Sequence, residues 1–198
     1  MTVFSSHYFP SIRYISDFIN SENQLIDGFE NIQKQTYRNR CYILGPNGRQ
    51  MLVVPYERKN PSRQMKDMRI CYAENWQKEH FKSLEAAYRR SPYFEYYEHY
   101  FDEIFNRRFE YLFELNNAIL ERILKILQAE IPLQFTQSYE SVYQKDLREA
   151  YSAKEKKIEI PEYPQVFVEK IPFETDLSII DLICNLGPES IIYLKNLI

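Results

Sequence analysis

His7 is a candidate for chemistry, because it lies between a short β-prone run and a segment with the pattern of a helix. Residues 2–6 favour a strand, and Pro10 stands just before an apolar pattern of helical spacing. In open α/β sheets, ligands bind beyond the carboxyl ends of strands, at the N-termini of the following helices. A histidine there can bind phosphate or carry a proton, so we predict His7 as catalytic and Tyr8 as a substrate contact. Alternatively, Tyr8 and Phe9 anchor the helix to the core and His7 is a half-exposed neighbour.

A basic and amide-rich stretch follows at residues 33–40. Guanidinium groups form paired hydrogen bonds with carboxylate or phosphate, and amides suit sugar hydroxyls. From this stretch we predict four substrate-binding residues: Gln35, Arg38, Asn39 and Arg40. The alternative is a solvated loop whose arginines pair with surface carboxylates.

A third group of candidates lies at the start and along one face of a predicted helix. Asn75 is a good N-cap, and Trp76, His80 and Tyr88 recur at multiples of four residues, which places them on one face. Aromatic faces pack against sugar rings or bases, and a histidine can act as general acid or base. We therefore predict His80 as catalytic and Asn75, Trp76 and Tyr88 as substrate-binding. The alternative is a core face with a satisfied histidine.

Aromatic residues make up 16% of the chain, with 17 Tyr and 13 Phe. They crowd residues 93–105, which have more aromatic side chains than one buried helix face can take. Part of this surface is predicted to be a self-association patch or a lid, and a homodimer through the aromatic-rich helices is the expected form.

The first half of the chain must position these groups by alternating strands and helices. Asn47-Gly48 is typical of a tight hairpin turn. The predicted elements are a strand at 2–6, a helix at 12–19, a strand at 24–29 and a β-hairpin of 41–44 with 51–55.

The second half is predicted to be mainly helical. The clearest helix covers 109–129, and its apolar stripe includes one amide, Asn116, which must find partners if it is buried. The other predicted elements are strands at 68–71, 134–136 and 191–194, and helices at 76–90, 93–105 and 177–186, the last with Asp176 as N-cap and Gly187 after its end.

Together these elements predict an α/β fold: a mainly parallel sheet flanked by helices, with a β-hairpin and a helical insertion. We expect one domain over 1–198, in which the aromatic-rich helical insertion spans about 75–130. An irregular excursion is expected at about 139–164, where charges, tyrosines and two prolines break the pattern.

Composition excludes several function classes. Lys and Arg total 25 against 28 Asp and Glu, a net charge of −3, so nucleic acid is not the expected partner. Three scattered cysteines form no zinc pattern, and no Gly-rich phosphate loop or metalloprotease motif occurs, so we expect neither metal nor cofactor. No secretory signal and no apolar run of membrane-spanning length is present, which indicates a cytoplasmic protein.

The sequence resembles the WbqC-like protein family over nearly its whole length. The blocks that carry the resemblance occur in the family's order: Tyr8-Phe9-Pro10 with Tyr14; Tyr37-Arg38-Asn39-Arg40; Asn47-Gly48; Leu52-Val53-Val54-Pro55; Asn75-Trp76, His80, Ser83 and Ala87-Tyr88; Pro92-Tyr93-Phe94 and Tyr97; Leu115-Asn116; and residues 177–182 with 187–190. Many members begin with His-Gln-Pro-Asn, where this chain has Phe4-Ser5-Ser6-His7. The leading histidine is therefore absent, and His7 would have to substitute for it from a shifted position.

The resemblance implies a transferase of surface-polysaccharide biosynthesis, including that of O-antigen. Its substrate would be a nucleotide-linked amino sugar, to whose amine an aminoacyl or acyl group is transferred. Two other functions stay open: an α/β nucleotidyltransferase-like enzyme that binds a nucleotide, and a non-catalytic interaction module that docks through its aromatic surface.

Overall fold

The first two strands of the chain belong to a small parallel sheet. A computed structural model describes residues 1–57, 59, 61–151 and 159–197. The parallel sheet has three strands, which are β1 (Thr2–Ser5), β2 (Gln24–Asp27) and β5 (Lys145–Asp146). Their order in the sheet is β2-β1-β5. β1 runs beside β2 with Val3 opposite Leu25, and beside β5 with Val3 opposite Asp146. The predicted α/β class is confirmed, and all three strands end at one edge.

Helix α1 (Ile12–Asn20) connects the first two strands. Ser11 caps it, since the Ser11 hydroxyl accepts a hydrogen bond from the Tyr14 amide at 3.3 Å. Its buried face meets the sheet through aromatic side chains, and the Phe4 ring lies 5.3 Å from Tyr14 and 5.0 Å from Phe18. This cluster fixes the turn that contains His7 against the core.

The predicted hairpin is confirmed as β3 (Arg40–Gly45) and β4 (Gly48–Val53). Only Gly48 takes a positive φ in its turn, at 103°. Gly45 pairs with Gly48, so the two loop residues are Pro46 and Asn47. The ring of Pro46 fixes its φ at roughly −65°, so the mirror-image turn that Asn-Gly favours, which needs a positive φ at both loop residues, cannot form here. The hairpin packs against the helices that follow it.

The predicted helical insertion is present as α2 (Trp76–Tyr88), α3 (Phe94–Phe105) and α4 (Leu112–Ile126). α4 begins later than expected, because the residues before it are extended: the Ile70 amide donates to the Glu110 carbonyl, and the Leu112 amide to that of Met68. For the same reason residues 68–71 form isolated bridges and not the predicted strand.

The C-terminal part corrects two predictions. Residues 191–194 lie in helix α6 (Ser190–Lys195), because the buried Ser190 and Leu194 are four residues apart and share one helix face. Helix α5 (Ile179–Leu186) is capped by Ser178, whereas Asp176 lies outside the helix with φ 55°. Gly187 ends α5 with φ 54°, as predicted.

The region 139–164 is not wholly irregular. It contributes β5, and residues 152–158 of it lie outside the described part of the chain. Residues 134–136 make a single bridge, Phe135 to Ile26, along the free edge of β2, where a strand was expected. No helix in the described ranges is long and apolar enough to cross a lipid bilayer.

Candidate functional site

A cavity of about 520 Å³ lies between the segment before the hairpin and the loop after it. We call it the cationic cavity, and it is lined by Ile32, Lys34, Gln35, Asn39, Arg40, Tyr56, Ser62, Arg63 and Met68. Its volume lies within the range of about 300–1,000 Å³ that small-molecule sites occupy.

Two backbone pairings build this cavity. The Ile32 amide donates to the Arg63 carbonyl at 2.8 Å, so the two loops form a short ribbon. At the other side, the Val54 amide donates to the Asn39 carbonyl at 2.8 Å, and Asn39 Nδ2 donates to the Val54 carbonyl at 2.9 Å. Between them Gln35 takes a left-handed φ of 62°, which non-glycine residues rarely adopt. The backbone is therefore constrained on both sides of the lining.

The charge of the cavity is positive. Lys34, Arg40 and Arg63 line it without an acidic neighbour in the lining, and none of the three forms an ion pair with any described residue. Arg40 Nε is also buried, and no described group accepts its hydrogen bond. Unpaired guanidinium and ammonium groups attract anions, and guanidinium binds phosphate or carboxylate in paired fashion. The cavity is therefore suited to an anionic ligand.

His7 lies at the carboxyl end of β1, as predicted, but it is buried with 2% of its surface exposed. Its Nε2 is 2.7 Å from the Ser5 hydroxyl, and its Nδ1 has no hydrogen-bond partner in the described structure. Burial, followed by the nearby Arg38 charge, lowers the pKa of His7 well below its usual value. The imidazole is therefore neutral at physiological pH and has one ring nitrogen unengaged.

Ion pairs of the protein itself occupy the carboxyl edge of the sheet. The Arg38 guanidinium is 2% exposed and contacts Glu30 and Glu149, with Nη2 to Glu30 Oε2 at 2.5 Å. Arg148 Nη1 contacts Asp27 Oδ2 at 2.7 Å. Arg38 was predicted to bind substrate, but here its guanidinium is engaged by internal carboxylates and it does not line the cationic cavity.

A second cavity, of about 590 Å³, adjoins these ion pairs. Its lining includes Glu30, Asp146, Arg148 and Glu149. Alternate residues of the ribbon face the two cavities, since Ile32 and Lys34 line the first and residues 31 and 33 the second. The ribbon thus separates a cationic cavity from one rich in carboxylates.

The Tyr8–His80 pair forms a separate buried group. The Tyr8 hydroxyl is 2.8 Å from His80 Nδ1, and the indole of Trp76 contacts the imidazole at a centroid distance of 5.2 Å. Burial lowers the pKa of His80 to about 4, while a hydrogen bond with the Val53 backbone acts in the opposite direction. None of these three aromatic residues lines the cationic cavity. Their contacts join the first turn of the chain to α2.

The other predicted site residues lie apart from one another. Asn75 is exposed before α2, and its side chain makes no capping bond. Tyr88 is fully buried, and its hydroxyl accepts a hydrogen bond from the Leu44 amide at 3.4 Å. Asn116 finds partners in the core, since its Nδ2 donates to the Ser6 hydroxyl and to the Arg38 carbonyl.

The aromatic-rich helix α3 is divided between core and surface. Phe94, Phe101 and Phe105 are buried, while Tyr96 is 71% exposed. Tyr100 is faced by Arg122, whose guanidinium lies 5.3 Å from the ring centroid. A homodimer through this surface stays a prediction.

The structure therefore brings Gln35, Asn39 and Arg40 together in one cavity. It adds Tyr56 and Arg63, which sequence reasoning missed because the polar run 56–64 resembles an ordinary exposed loop. Residues 31–34 contain a single apolar side chain, Ile32, so no alternation of polar and apolar residues indicated the ribbon that joins the two loops. In the described part of the chain no three His, Cys, Asp or Glu residues are grouped as metal ligands.

Comparison with known proteins gives one match. The model of the WbqC-like protein family covers residues 5–160, which include the cationic cavity, the His7 turn and the helical insertion. No curated protein and no solved structure matches the chain.

Proposed function

The chain belongs to the WbqC-like protein family, and we propose that it is a transferase for a nucleotide-linked amino sugar. The group transferred is an acyl or aminoacyl group, and the acceptor is the amine of the sugar. The proposed reaction belongs to surface-polysaccharide biosynthesis, including that of O-antigen, as the resemblance implies, and we propose that it takes place in the cytoplasm.

The cationic cavity is the observation that carries this proposal. Lys34, Arg40 and Arg63 converge on it without ion-pair partners among the described residues, so the positive charge is available to a ligand. A nucleotide-linked sugar carries a diphosphate, whose oxygens accept charge-assisted hydrogen bonds from such groups. The amides of Gln35 and Asn39 add donors and acceptors beside the cations.

His7 is the residue that we assign to the chemistry. In acyl transfer the amine nitrogen forms a bond to the carbonyl carbon of an activated acyl donor, such as a thioester. The bond from that carbon to the sulfur breaks, and the amine loses a proton that the thiolate takes up. A neutral imidazole with an unengaged ring nitrogen can carry this proton, and His7 has both properties. Because His7 is 2% exposed and does not line the cationic cavity, the step requires that the ion pairs at the carboxyl edge open to let the sugar amine reach it.

His80 has a positioning role in this proposal. Its Nδ1 is engaged by the Tyr8 hydroxyl, and its ring is enclosed by Trp76 and Phe105. A histidine in this arrangement holds α2 against the turn that contains His7. Substitution of His80 is expected to lower the stability of the protein, and to lower activity only as a consequence of that loss.

Binding is tested by thermal unfolding with a panel of UDP- and dTDP-linked amino sugars. A ligand at 100 times its dissociation constant adds about 2.7 kcal/mol of stability, which a melting experiment resolves. Stabilisation by at least one member supports the proposal, and no response to any member contradicts it. Titration with ATP and magnesium serves as the comparison, because preferential ATP binding would favour the nucleotidyltransferase alternative.

Transfer is tested separately, by mass spectrometry of the sugar product. His7→Gln is expected to retain sugar-nucleotide binding and to lose transfer. If His7→Gln and Tyr96→Ala are compared in cells and only the Tyr96 variant loses function, the interaction-module alternative is correct and the transferase proposal is wrong.

A further inference from the structure

We propose that the cationic cavity holds the nucleoside diphosphate end of the substrate, with the base packed against Tyr56. This inference rests on the proposed function, since it takes the substrate to be a sugar nucleotide. It goes further by assigning which half of that molecule the cavity recognises and which side chain selects it.

The first support is the apolar part of the lining. Beside the three cations stand Ile32, Tyr56 and Met68. Met68 is 4% exposed, and Tyr56 is half-buried and held in place by its bridge to Ile70. A hydroxyl-rich sugar gains little from the aliphatic side chains of Ile32 and Met68. A flat base stacks on an aromatic ring and packs against aliphatic ones, with a contribution that alanine substitution measures as about 1–3 kcal/mol per base.

The second support is the carboxamide of Asn39. Its Nδ2 donates to the Val54 carbonyl, which fixes the orientation of the amide. No donor among the described residues bonds to its Oδ1, although the residue is only 6% exposed. An acceptor held in one orientation on the cavity lining suits an N–H of a nucleobase.

The third support is the number of charges. The linkage of a nucleotide sugar has two negative charges, and Lys34, Arg40 and Arg63 offer three positive ones. Arg40 Nε, buried and without an acceptor in the described structure, has a hydrogen still to donate. A cavity of about 520 Å³ accommodates a nucleoside with its phosphates.

Isothermal titration of the full chain tests the inference with three simple probes: UDP, uridine and inorganic pyrophosphate. We expect UDP to bind at least tenfold more tightly than pyrophosphate. Tyr56→Ala should weaken UDP binding by roughly tenfold or more and leave pyrophosphate binding unchanged, whereas Tyr56→Phe should keep both. Tyr96→Ala, the loss of an exposed tyrosine outside the cavity, is the matched control and should change neither.

The outcomes separate this inference from the proposed function. Equal affinity for UDP and pyrophosphate, with no effect of Tyr56→Ala, would overturn the nucleoside assignment while the anion site stands. Absence of binding by every probe would overturn both. If dTDP, GDP or ADP replaces UDP as the tightest ligand and Tyr56→Ala still weakens it, the inference is supported with a different base.

Discussion

The buried carboxyl of Asp181 is expected to contribute a loss of stability as pH rises from about 4 to about 6. Asp181 is 1% exposed on α5, and burial raises its pKa to about 6. The Tyr163 hydroxyl donates to its Oδ2 at 2.6 Å, and Gln165 Nε2 donates to the same oxygen at 3.2 Å. These bonds act against the burial effect but do not cancel it.

The sign and size follow from proton linkage. Below pH 3.8, the ordinary value for Asp, the carboxyl is protonated in the folded and the unfolded chain. As pH rises, the Asp181 carboxyl ionises first in the unfolded chain, while it is still protonated in the folded one. The free energy of unfolding therefore falls by about 1.4 kcal/mol for each pH unit. Above pH 6 both states are ionised and the loss stops. The full effect is therefore on the order of 3 kcal/mol, lost as pH rises.

Urea unfolding of the wild type and of Asp181→Asn between pH 3.5 and pH 7.5 measures this effect. Asparagine cannot ionise, so the difference in unfolding free energy between the two proteins isolates the one carboxyl. We expect the variant to gain about 3 kcal/mol relative to wild type across this range, on top of a constant offset for its new buried amide group. A difference that stays flat with pH would refute the reasoning.

Three further predictions concern other contacts. Gly187→Ala should lower the free energy of unfolding by roughly 2–4 kcal/mol, because φ at Gly187 is 54° and a Cβ there would lie 2.5 Å from the Tyr93 ring. Gly48→Ala should cost only about 1 kcal/mol, because φ there is 103° but the space around a Cβ is open. Thermal melts of the two variants check this, and equal costs would contradict it. Tyr8→Phe should cost about 1–2 kcal/mol, since it removes the buried bond to a histidine nitrogen. A denaturation midpoint like that of wild type would contradict the role given to that bond. The same variant should keep sugar-nucleotide binding in titration, because the hydroxyl lies outside the cationic cavity.

Long apolar patterns made much of the fold predictable. The apolar stripe of α4 and the helical spacing of the apolar residues in α1 predicted helices that the structure contains, because burial of one face decides such segments. Short apolar runs were ambiguous. Residues 191–194 form an apolar run of only four residues, a length that suits a strand as well as a helix. The hydrogen bonds from Ser16 and Asn20 to the Leu194 carbonyl are tertiary contacts that no local pattern reveals.

The parallel strand β5 was missed for a related reason. It has only two residues, Lys145 and Asp146, and both are exposed, so they show no apolar alternation. What places them is the pairing with β1 and the ion pair of Arg148 with Asp27 across the edge. Contacts between distant parts of the chain set this strand.

The candidate site was predictable only where neighbouring residues serve one cavity. Gln35, Asn39 and Arg40 come from a single stretch of unusual composition, and they lie together. Arg38 stands between two of them but turns inward to Glu30, a partner that the spacing could not identify. Arg63 joins the lining through backbone pairing with Ile32, which sequence alone did not show.

The most direct test of the account is the affinity of a UDP-linked amino sugar for wild type, Arg63→Gln and Lys78→Gln. Arg63 lines the cavity and forms no ion pair with a described residue, and Lys78 is an exposed cation on α2 outside it. Loss of one charge-assisted hydrogen bond costs about 1.5–3 kcal/mol, so Arg63→Gln is predicted to weaken binding at least tenfold while Lys78→Gln leaves it unchanged. Equal affinity of all three proteins would contradict the assignment of substrate binding to the cationic cavity.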